Sequence, residues 1–88
     1  MVEKHLEHLA SHCAELIAAR RFGDLRTLLL GQELPDVADL IVELGSDDEA
    51  VTFRLLPKDR ATTVFELLPF EAQESLLRSL GDEDVARI

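Results

Sequence analysis

The sequence predicts an all-α domain of short helical hairpins stacked as a small α-solenoid, and three observations carry that prediction. Apolar residues recur at helical spacing, as Ala61, Val64, Phe65 and Leu68 do at i, i+3, i+4 and i+7. The composition is rich in Leu and Ala, with four Phe and no Trp or Tyr, which favours helices over a β-sandwich. Helix boundaries recur every twelve residues, at Leu44-Gly45, Leu56-Pro57, Leu68-Pro69 and Leu80-Gly81. Proline lacks a backbone donor and pre-sets φ for a first helical turn, so each Leu-Pro closes one helix and opens the next. Helices this short cannot each bury a face alone. They must stack on their neighbours.

Taken in order, the first helix is expected over about Val2 to Arg21, with Leu6, Leu9, Cys13, Leu16 and Ile17 on one face. Arg20 and Arg21 would then sit in its last turn, where cations suit the helix dipole. Gly23 reads as the stop and Asp24 as the cap of a short second helix, Leu25 to about Leu30, ending at Gly31. A third starts around Pro35-Asp36, buries Val37, Leu40, Ile41 and Leu44, and stops at Gly45. Ser46 with Glu49 three residues on is a capping-box pattern for a fourth, carrying Ala50, Phe53 and Leu56. The fifth lies between the two Leu-Leu-Pro runs. A sixth, Phe70 to about Leu80, is expected to bury Ala72, Leu76 and Leu77, and Gly81-Asp82 to open a seventh containing Val85 and Ile88.

Eighty-eight residues read as one helical-repeat domain, 1–88, a piece of a longer chain. Eighteen acidic residues against nine basic give a net charge of −9, which repels phosphate backbones and argues against nucleic-acid binding. Charged residues interrupt every apolar run, so this segment does not insert in a membrane. Met1-Val2-Glu3-Lys4-His5 lacks the pattern of a signal peptide. One cysteine allows no internal disulfide and fits a reducing, cytoplasmic setting.

From Phe22 onward the pattern resembles the cytosolic N-terminal domain of MgtE-type magnesium transporters. The resemblance rests on Gly23-Asp24-Leu25, Asp36-Val37-Ala38-Asp39-Leu40 with Glu43-Leu44, and Val64-Phe65-Glu66-Leu67 with Glu71-Ala72-Gln73-Glu74. Its most specific part is the central Phe53-Arg54-Leu55-Leu56-Pro57-Lys58-Asp59-Arg60-Ala61. The resemblance implies a regulatory module with the superhelical fold of that domain, followed in the family by paired CBS domains and a membrane domain forming a homodimeric channel. It further implies that Mg2+ bridges the helical and CBS domains and favours the closed pore. Where the family often places an acid two residues after Arg60-Ala61, this chain has Thr63.

Asp59, Thr63 and Glu66 share one flank of the fifth helix, opposite its apolar stripe. Asp59 and Glu66 are the candidate metal ligands, able to hold a hydrated Mg2+ if a second domain adds oxygens; the plainer reading is a solvated helix face. Asp47-Asp48-Glu49 and Asp82-Glu83-Asp84 are explained as carboxylates opening helices, favoured by the N-terminal dipole. His8 and His12 have i, i+4 chelate spacing beside His5, but no third ligand and no metalloprotease glutamate accompany them. Cys13 lies on the apolar stripe and reads as a small buried hydrophobe. No nucleophile elbow, phosphate-cradling loop or CxxC is present, so an enzyme is not expected. Two functions stay open: a magnesium-sensing gating domain docking on CBS domains, and a magnesium-independent interaction scaffold like the short-helix repeats of the flagellar switch protein FliG.

Overall fold

The computed structural model describes residues 2–84, without the side chains of residues 2–4, 46–47 and 82–84. Among these residues the chain is all-α and contains no strand. Six helices follow one another: α1 (Val2–Ala18), α2 (Phe22–Leu30), α3 (Leu34–Leu44), α4 (Ser46–Arg54), α5 (Lys58–Leu67) and α6 (Phe70–Asp84).

The packing is that of a stack. α3 lies against α1 on one side and α5 on the other, and α4 packs on α3 and on α6. Alternate helices thus form two rows, α1-α3-α5 and α4-α6, while α2 leans on α1. The core runs along the seam between the rows. Cys13, Leu25, Val37, Leu40, Ile41, Val64 and Leu76 are fully buried within it. The Phe53 and Phe65 rings meet edge-on across α4 and α5, with centroids 6.3 Å apart.

Each Leu-Leu-Pro works by withholding a donor. In a continuing helix the Phe53 carbonyl would accept from residue 57 and the Phe65 carbonyl from residue 69, and both are prolines. Leu56 N–H donates to the Phe53 carbonyl instead, at 3.1 Å, and Leu68 N–H to that of Phe65, also at 3.1 Å. The Gln73 side-chain amide adds a second bond to the Phe65 carbonyl at 2.8 Å. Pro57 and Pro69 carbonyls then accept from Ala61 and Gln73, opening α5 and α6.

Several boundaries differ from the sequence expectation. α1 ends at Ala18. Arg20 takes a left-handed φ of 58°, while Arg20 N–H donates to Ile17 and Arg21 N–H to Leu16, the paired bonds of a Schellman stop. Gly23 is therefore not a stop but lies inside α2, and Asp24 is not a cap but a first-turn carboxylate paired with Arg21. Ser46, expected as the cap of the fourth helix, is instead its first residue, and its side chain lies outside the described ones. Gly45, at φ 87°, is the N-cap of α4 with no side-chain cap bond. α6 runs through Gly81 to Asp84, so the fourth twelve-residue boundary is absent. Gly81 retains its N–H, unlike Pro57 and Pro69, and nothing forces a stop there. Asp82-Glu83-Asp84 consequently belong to the last described turn of α6 rather than opening a helix. Val85 and Ile88, expected in a seventh helix, lie outside the described residues.

Candidate functional site

α5 is held by its apolar edge. Val64 is fully buried and Leu68 nearly so, with Ala61 and Phe65 half-buried beside them. That anchoring turns Asp59, Thr63 and Glu66 outward, and all three are exposed. Thr62 and Thr63 hydroxyls donate back to the carbonyls of Lys58 and Asp59, at 3.0 and 3.4 Å. Asp59 and Glu66 fall on one line along the helix, as their spacing predicts. Seven residues at about 1.5 Å each set them roughly 10 Å apart along the axis. Magnesium–oxygen bonds are about 2.1 Å, so a spacing of two turns does not favour direct contact of one ion with both carboxylates. Were these carboxylates to take up Mg2+, each would hold its own hydrated ion or reach a shared one through water.

Elsewhere the candidates are dispersed. His5, His8 and His12 are exposed on α1. Among the described residues, no group of three or more His, Cys, Asp or Glu side chains is gathered as a metal site. Cys13 is fully buried, and desolvation raises its thiol pKa from 9.0 to about 11. It is a core residue.

Two features are not legible in the sequence. Glu49, expected as a helix-opening carboxylate, is only 3% exposed, and its Oε1 accepts a 2.7 Å bond from the Ser75 hydroxyl of α6. It ties the second row together, from α4 to α6. Ser75 lies twenty-six residues away, beyond any local motif. The second feature is a groove of about 520 Å³ between α5 and α6, lined by Phe53, Ala61, Phe65, Leu77 and Leu80 and edged by Lys58, Thr62 and Glu66. Leu77, expected in the core, is 57% exposed on its wall. Helical periodicity places Leu77 beside the core, but no helix covers that side of α6 among the described residues.

No described helix is long and apolar enough to cross a membrane. The family profile described as the MgtE intracellular N domain matches residues 32–88, from the turn before α3 to the last residue. No curated protein and no solved structure matches the chain.

Proposed function

Since this chain belongs to the family of the MgtE intracellular N domain, we propose that it is the magnesium-sensing head of an MgtE-like magnesium transporter, docking through divalent cations onto CBS domains of the same protein. The observation that carries this reading is the outward line of Asp59 and Glu66 on a helix whose opposite edge is fixed in the core. Neither carboxylate is drawn into that core. In a chain of net charge −9, acidic faces repel one another across the gap between domains when no ion is present. A hard cation coordinated by oxygens from both sides reverses that repulsion. Because the ion binds the closed arrangement better than the open one, it shifts the gate toward closure. On this reading the domain sits at the cytoplasmic face of the membrane within a homodimeric transporter, and performs no chemical step itself.

The test is a titration of Mg2+ into the chain joined to its CBS domains, followed by small-angle scattering and protease sensitivity. Compaction is expected, and Asp59→Asn with Glu66→Gln should move its midpoint to severalfold higher Mg2+. Unchanged dimensions and protease sensitivity would sink the reading. The apolar groove beside α5 favours the second reading, an interaction surface that works without an ion.

A further inference from the structure

We propose that the α5–α6 groove is a self-association surface, taking α5 of a second copy of this chain packed antiparallel about a two-fold axis at Thr62. Lys58, Thr62 and Glu66 edge the groove at i, i+4 and i+8, forming one ridge along α5. Two helices whose i±4 ridges interlock set those ridges side by side. A two-fold axis through the midpoint residue, Thr62, reverses one ridge against the other. Lys58 then faces Glu66 of the second copy, and Glu66 faces its Lys58. The surface is complementary to itself, as a two-fold interface must be.

A second observation points the same way. Lys58 opens α5 and Glu66 lies in its last turn, so each charge sits at the end where the helix dipole disfavours it. Among the described residues neither forms an ion pair, and both are exposed. An antiparallel partner supplies the opposite charge and the opposite dipole end at both places. Between the ridges, Phe65, Leu77 and Leu80 are the apolar surface that a second α5 would cover. This inference does not rest on magnesium: Glu66 serves both readings, but Asp59 enters only the first and Lys58 only the second.

Sedimentation equilibrium of the 88-residue chain tests it, at about 0.15 M salt, where the Debye length of about 8 Å screens the general acidic repulsion. A monomer–dimer equilibrium is expected between about 1 μM and 1 mM. By symmetry each single reversal, Lys58→Glu or Glu66→Lys, makes two like-charge pairs and should weaken the dimer by about tenfold or more. The double reversal should restore it to within a few-fold. Both reversals suit the helix dipole, so folding, followed by circular dichroism, is expected to survive. Leu77→Asp, on the opposite wall, should also dissociate the dimer. A chain monomeric throughout that range overturns the proposal. So does a dimer indifferent to the single reversals, or one that the double reversal fails to restore.

Discussion

α3 and α5 are neighbours in the same row, α3 within it and α5 at its end, and their burial is very different. On α3, Val37, Ala38, Leu40 and Ile41 are all buried, because α1 and α5 clasp it from both sides. On α5 only Val64 reaches full burial, with Ala61 and Phe65 half-exposed along the groove. Both helices are amphipathic, so the sequence pattern does not separate them. In a stacked fold a rung's stability belongs to its neighbours as much as to itself, since each interface is shared. The closed end of the molecule is where energy is stored. The open end is where surface remains for binding.

The sharpest test of that contrast is truncation at each end. Leu40→Ala deletes a fully buried side chain held by two neighbouring helices and should cost about 2–5 kcal/mol in urea unfolding. Leu77→Ala, measured at a concentration low enough to keep the chain monomeric, removes a leucine that is already 57% exposed and should stay within about 0.5 kcal/mol. Equal losses at the two positions would mean that the groove is packed in solution, and the distinction between the ends would fail.

The closed end also has a chemical signature. Cys13 on α1 is buried, and its thiol titrates near 11 rather than at 9.0. The folded state therefore holds the proton more tightly than the unfolded one. Stability from this group is complete below about pH 9 and is lost as pH rises toward 11. A rise of that size corresponds to about 2–3 kcal/mol at the far end of the window. Unfolding free energies measured at about pH 8 and about pH 10.5 should fall more steeply for the native chain than for Cys13→Ala. Parallel slopes would show that water reaches the thiol and that the α1 interface is not sealed.

Much of this contrast is legible in the sequence alone, and the limits are instructive. The two Leu-Leu-Pro stops are legible because proline acts locally: the missing N–H ends a helix whatever surrounds it. Gly45 is legible for a similar reason, since φ 87° suits glycine. The stop at Arg20 is not, because a residue with a side chain takes the left-handed position and leaves no glycine to mark it. Gly81 misleads in the opposite sense, as glycine permits a turn without compelling one. Asp59 and Glu66 lie on the exposed flank that the pattern predicts, because helical spacing and the apolar stripe jointly determine it. Glu49 misleads because its partner, Ser75, is long-range, and the groove is hidden because periodicity gives a face but not what covers it.

Within α4, the smallest effect sharpens the same distinction. Thr52 on α4 is fully buried, and its hydroxyl is the one fully buried side-chain oxygen without a hydrogen-bond partner among the described residues. Other threonines do not share this state: Thr27, Thr62 and Thr63 are exposed, and their hydroxyls donate to carbonyls four residues earlier. A buried hydroxyl left unpaired carries a desolvation cost that an apolar group of the same shape avoids. Thr52→Val should therefore stabilise the chain by about 1 kcal/mol, whereas Thr62→Val on the exposed side of α5 should change little. The paired measurement is informative because both substitutions keep a β-branched side chain in a helix, so propensity cancels. A loss of stability at position 52 would mean that water or a rotated hydroxyl satisfies Thr52, and that this part of α4 is wetter than its burial implies.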